Sequence, residues 1–198
     1  MSLRPHVEVP AQALPALIRV TPVNIAAWAL GGFYLSLMPS LVRVATGLTS
    51  PFVGGAVVAT LMFSATFAVL ALRQWPAHRI LLVGALTLAL GVAVTLLGVY
   101  LQLAALLFLG TVIAGVGFGG SFSGVLRTIL PLASADERAG LLSSFYVESY
   151  LAFALPAIAA GLTAPVLGLG VTAYVLGAVL IVLAAISFVA TMATRSGR

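Results

Sequence analysis

The sequence has no cysteine and no lysine, and it is poor in charge of either sign. Only 7% of its 198 residues are Asp, Glu, Lys or Arg, where a soluble domain carries about 25%. The absence of cysteine excludes disulfides, thiolate metal sites and cysteine nucleophiles. The shortage of charge excludes a solvated surface, because 62% of the residues are hydrophobic. Lipid must then be the main solvent. Enzyme signatures are missing as well. The two histidines, His6 and His78, lie in the N-terminal segment and in a polar turn. Neither is placed to serve as base for a serine in the Gly120-Ser-Phe-Ser-Gly124 stretch. There is no HExxH pair and no GxxxxGK[ST] phosphate loop. No catalytic residue, metal site or cofactor is expected, and an intramembrane enzyme is the distant alternative.

What remains is long apolar runs. A bilayer core takes roughly 20 apolar residues of helix. Six such windows are present: about 23–42, 52–72, 80–100, 103–126, 139–162 and 167–191. They are continuously apolar, not alternating, which argues against a membrane β-barrel. The breaks fall at Arg43 with the stretch 46–51, at the basic turn Arg73-Gln-Trp-Pro-Ala-His-Arg79, at Gln102, at the polar loop 127–138, and at 163–170 with Pro165 and two glycines. Ser134-Ala-Asp-Glu137 is a candidate cap for the fifth helix. Residues 1–21 read as a cytoplasmic leader, either a short surface helix or unstructured. Residues 22–192 read as the bundle and 193–198 as a tail. No cleavable signal peptide is expected in the leader.

The nine arginines set an orientation. With the N-terminus in the cytoplasm, Arg4, Arg19, Arg73, Arg79, Arg127, Arg138, Arg195 and Arg198 lie inside, and Arg43 alone lies outside. Both termini are then cytoplasmic. The net charge of +5 reflects this bias and does not point to nucleic acid. The heavy use of Ala, Leu, Gly, Val and Arg is that of a GC-rich bacterial genome, which implies the inner membrane.

Several side chains stand out inside the spans. The fourth is rich in glycine, with Gly120 and Gly124 forming a GxxxG pair, and Gly55/Ala59 and Ala173/Gly177 follow the same small-xxx-small spacing. Such pairs serve close helix packing, and their density in the fourth helix also suits bending. Asn24 and Trp28 share one face of the first span. Pro39 is expected to bend or end that helix, and Pro156 to kink the fifth. Glu148 is the one ionisable residue deep in a span, about nine residues or roughly 13 Å from the end of its helix. A lone acid there is costly. One reading makes it a proton-coupling or substrate-binding carboxylate. The other makes it a neutral acid hydrogen-bonded near Tyr146, Ser149 or Tyr150.

Four stretches carry a family resemblance: 22–40, the basic turn 72–79, the glycine-rich run 114–124, and 136–156. They resemble the seventh helix, the eighth-to-ninth turn, the tenth helix and the start of the eleventh helix of a major facilitator superfamily transporter. The chain is similar to the C-terminal six-helix half of such a protein over nearly its whole length. The resemblance implies an all-α bundle of two inverted three-helix repeats. It implies alternating access for a small-molecule substrate. It also implies a cavity lined by the first, second, fourth and fifth spans, where Tyr34, Ser64, Ser121, Tyr146 and Glu148 lie. Arg73, Arg79, Arg127 and Arg138 become candidates for a cytoplasmic gate or for topology. The basic turn departs from the family in lacking an Asp. One half needs a partner: a second six-helix half, a second copy as a homodimer, or a missing stretch of its own parent. A truncated, non-transporting fragment is the alternative.

Overall fold

The computed structural model describes residues 8–47 and 50–196. Arg4, His6 and Arg198, and the side chain of Arg195, lie outside what is described. Among the described residues the chain is helical throughout. Helix α1 spans Leu14–Ser36, α2 Met38–Thr46, α3 Pro51–Ala71, α4 Ala77–Tyr100, α5 Ala104–Ile129, α6 Arg138–Leu167 and α7 Leu169–Ser196, with one 3-10 turn at Leu130–Leu132. Six of these helices, all but α2, are long and apolar enough to cross a membrane.

The first span differs most from expectation. It begins at Leu14, inside the segment read as a leader, and ends at Ser36 rather than near Val42. Pro15 sits in the first turn, where its missing N–H has no helical partner to lose. Leu17, Val20 and Val23 are buried against Leu81, Ala85, Val125, Ile129, Leu141 and Phe145. That packing holds the first turns helical in spite of Pro22. At the far end Pro39 has no N–H to give Leu35, and the helix breaks at Leu37. The chain resumes as α2, which buries Met38, Leu41 and Val42 and exposes Arg43.

The last turn is also shorter than expected. Helix α6 runs through both Pro156 and Pro165 and stops only at Gly168, whose φ of 85° is open to glycine. The Ser134 motif does not cap α6. Glu137 is the N-cap residue and its side chain bonds no helix amide. Instead the Ser134 N–H and hydroxyl donate to Glu137 Oε2 at 2.9 and 2.7 Å, which closes the loop ahead of the helix.

The tightest contact in the bundle is α4 on α5. A methyl group added at Gly84, Gly91 or Gly98 of α4 would strike the main chain of Ser121, Ala114 or Leu107. One added at Gly110 or Gly117 of α5 would strike Thr95 or Leu88. The pairs run antiparallel in strict register, and their spacing alternates between three and four residues on both helices. This repeat keeps one face of each helix on the seam, and the missing Cβ atoms let the backbones meet.

The remaining contacts follow a pattern. Helix α1 packs on α6 and α7, just as α5 packs on α3 and α4; α1 also meets α5, and α4 meets α7. Exchanging the first three spans for the last three maps these contacts onto one another. The exceptions are that α6 packs on α7 while α3 and α4 barely touch, and that α2 packs on α3 with no comparable contact between α5 and α6. The bundle ends sort by charge. Gln12 Nε2 donates to Glu137 Oε2 at 2.9 Å, which joins the starts of α1 and α6. Arg127 reaches the turn after α3. Arg73, Arg79, Arg127 and Arg138 therefore gather at one end, with Arg43 at the other.

Candidate functional site

Glu148 lies ten residues into α6, about 15 Å along the helix. It faces α1 at the level of Thr21 and Asn24. Phe145, Ser149 and Ala152 are buried along the same side of α6, and they bring the two helices together. Asn24 Nδ2 donates to Glu148 Oε1 at 3.1 Å and to Ser149 Oγ at 3.1 Å. Ser149 Oγ in turn donates to Phe145 O at 2.7 Å. The Thr21 hydroxyl lies 3.1 Å from Leu17 O and 3.2 Å from Glu148 Oε2. Asn24 Oδ1 is buried with no partner. Glu148 itself is half-buried, and no charged group among the described residues pairs with it.

Beside this network stands an aromatic cluster centred on Trp28. Its ring centroid lies 5.5 Å from Tyr150, 6.3 Å from Tyr146, and 6.4 Å from both Phe118 and Phe122. The cluster ties α1 to α5 and α6. Trp28 Nε1 is buried there without an acceptor. Tyr146 and Tyr150 share one face of α6, whereas Glu148 is about 200° round the helix from each. Tyr146 and Glu148 therefore flank opposite sides of the α1–α6 contact and do not line one pocket.

The other expected site residues are dispersed. Tyr34 is fully buried, with its hydroxyl 3.1 Å from both Thr95 and Thr111, so it bridges α1, α4 and α5. Burial pulls the side chain into this packing layer, ten residues or about 15 Å along α1 from Asn24. Ser121 is buried in the α4–α5 seam against Gly84, and its hydroxyl has no partner. Ser64 packs against Gly115 between α3 and α5. Thr21 and Asn24, the hydrogen-bond partners of Glu148, are side chains that sequence alone did not join to it. Their shared depth in two helices starting at the same end was the available signal.

At the charged end, Arg127 Nη1 donates to Arg73 O at 2.6 Å and to Trp75 O at 3.4 Å. Backbone carbonyls of the turn are thus the acceptors for this guanidinium. Arg73, Arg79 and Arg138 are exposed nearby. Glu8, Pro10, Asp136, Glu137 and Gly140 line a shallow pocket there. Its Glu137 carboxyl is held below the usual carboxylate range, chiefly by the Ser134 side chain and then by the Ser134 N–H and Gln12. Among the described residues no group of His, Asp and Glu is arranged to hold a metal ion. No protein family's sequence profile matches the chain, and no curated protein or solved structure matches it significantly.

Proposed function

We propose that this chain is a six-helix half of a secondary transporter of the major facilitator kind, which moves a small solute by alternating access together with a second six-helix body. The observation that carries the reading is the interhelical contact pattern, the larger part of which is kept when spans one to three are exchanged for spans four to six. Paired three-helix repeats characterise such transporters. A polar network and an aromatic cluster at the α1–α6 contact add support, since buried polar groups in a membrane bundle mark solute or ion pathways. The arginine-rich end faces the cytoplasm in this reading, with both termini there and the bundle in a bacterial inner membrane. Six helices form one of the two bodies that must rock against each other. A second copy or a separate half completes the machine.

Native mass spectrometry in nanodiscs tests this. The chain is expressed alone and together with membrane proteins encoded beside it. A dimer, or a complex with another six-helix chain, is expected, followed by solute flux when that assembly is placed in vesicles. A folded chain that stays monomeric with every partner and carries no flux overturns the reading and leaves a non-transporting fragment.

A further inference from the structure

The whole chain has four acids, Glu8, Asp136, Glu137 and Glu148. Three of them belong to the side of the bundle where α1 and α6 start, and there Glu8, Asp136 and Glu137 line one shallow pocket next to Arg138. Helices α3, α4 and α5 and the turn between α3 and α4 hold no acid, yet they carry Arg73, Arg79 and Arg127. The charged end is therefore split. One side mixes both signs, and the other is purely cationic. None of these three arginines forms an ion pair among the described residues, and the side chains of Arg73 and Arg79 make no hydrogen bond there either.

Arg127 also shapes the patch. It draws the carbonyls of Arg73 and Trp75 towards α5. These backbone acceptors are thereby withdrawn from the guanidinium groups of Arg73 and Arg79. The side chains of Arg73, Gln74, Trp75, His78 and Arg79 are all exposed. Helix α4 starts at Ala77 with no side-chain cap, so its first amides add partial positive charge in the same place. Leading up to the turn, Phe67, Leu70 and Trp75 are 72%, 59% and 45% exposed. They sit in the last turns of an apolar span and at its edge, the level at which a bilayer offers acyl chains and headgroups.

We propose that this turn binds an anionic phospholipid. The phosphate pairs with the guanidinium groups of Arg73 and Arg79, Trp75 packs at the glycerol level, and an acyl chain runs along Leu70 and Phe67. Charge complementarity selects the headgroup, and the apolar strip beside it selects a lipid over a free anion. The mixed side offers no such site, because Asp136 and Glu137 stand directly before Arg138. The proposal requires the bundle to lie in a membrane and does not require it to transport.

Quenching of Trp75 by bromine-labelled lipid tests the site on the full chain. The vesicles hold equal parts of phosphatidylglycerol and phosphatidylcholine, with the label on one or the other. Trp75→Phe identifies the share of quenching that belongs to Trp75, and lipid in both leaflets makes the result independent of orientation. Labelled phosphatidylglycerol is expected to be clearly preferred, since each arginine near the surface adds about fivefold in affinity, and molar salt should weaken that preference. Arg73→Gln combined with Arg79→Gln should bring the two lipids to parity. Both side chains are exposed and unpaired, so this variant keeps its fold. Arg138→Gln should leave the preference in place. Equal quenching by the two labels in the wild type overturns the proposal. So does a preference that survives the double variant, or one that is lost equally in Arg138→Gln. Sodium phosphate that abolishes the preference at an ionic strength where sodium chloride keeps it assigns the patch to free phosphate and overturns the lipid.

Discussion

The guanidinium of Arg127, at the end of α5, donates to the main-chain carbonyl of Arg73, 2.6 Å away in the turn after α3. Two residues of like charge are thus joined through a backbone dipole, and α3 and α4 are held by α5 more than by each other. Arg127→Ala is expected to free this turn. Hydrogen exchange at residues 71–76 should rise severalfold while the cores of α4 and α5 stay protected. Arg127→Lys should recover part of the protection, since one ammonium reaches a single carbonyl with less geometric control.

The α4–α5 seam makes a steric prediction. Gly91→Leu drives a branched side chain into the main chain of Ala114. It should cost about 3 kcal/mol or more, visible as a fall in the thermal unfolding midpoint in detergent. Gly55→Leu is the control. Gly55 belongs to an equally suggestive small-xxx-small pair, yet nothing lies within 4 Å of its added Cβ. It should leave the midpoint unchanged within error.

Tyr34→Phe removes the hydroxyl that joins Thr95 to Thr111. Hydrogen bonds between membrane helices are modest because the separated state also finds partners, so a loss of about 1 kcal/mol is expected in a reversible unfolding assay. Thr111 keeps its bond to Leu107 O at 2.8 Å, which limits the damage.

Glu137 supplies a pH prediction. Ser134 and Gln12 bond its ionised form, so its carboxyl sits below the usual range. A group depressed in the folded state contributes stability above the ordinary carboxylate range and loses that contribution as the pH falls through its lowered value. The protection of the Ser134 amide, measured as its exchange rate relative to the intrinsic rate at the same pH, should therefore be high at neutral pH and fall in acid. In Ser134→Ala the same carboxyl should titrate closer to an ordinary glutamate, as followed by its side-chain carbon resonance.

The lack of native cysteine gives topology a clean assay. Single cysteines at Ser50 and Ala135, both exposed and at opposite ends of the bundle, should label from opposite sides of inverted and right-side-out vesicles. The arginine bias puts position 135 inside. The opposite labelling would reverse the orientation.

The spans were legible because continuous apolar runs and their polar breaks follow directly from the solvent. Their number and four of the six approximate positions can be read from sequence. The start of α1 could not. Pro10, Gln12, Pro15 and Arg19 interrupt its apolar run, and only burial of Leu17 and Val20 against other helices makes that segment part of the span. Glycine density in α5 was visible, but its partner lay in the less conspicuous seven-residue spacing of Gly84, Gly91 and Gly98. The isolation of Glu148 in its span was legible too. Which hydroxyl and amide it meets depends on how α1 and α6 dock, and no local pattern encodes that.

The register of α4 and α5 has a mechanical consequence. Each glycine is a socket shaped for one particular stretch of opposing backbone, so the two helices interlock along the whole seam like the teeth of a rack. Sliding one past the other restores the match only after a full repeat, about 10 Å of travel. Small rearrangements are barred there. Any bending or rocking of the bundle carries α4 and α5 as one stiff spine, and the freedom to move falls to the helices hinged on either side of it.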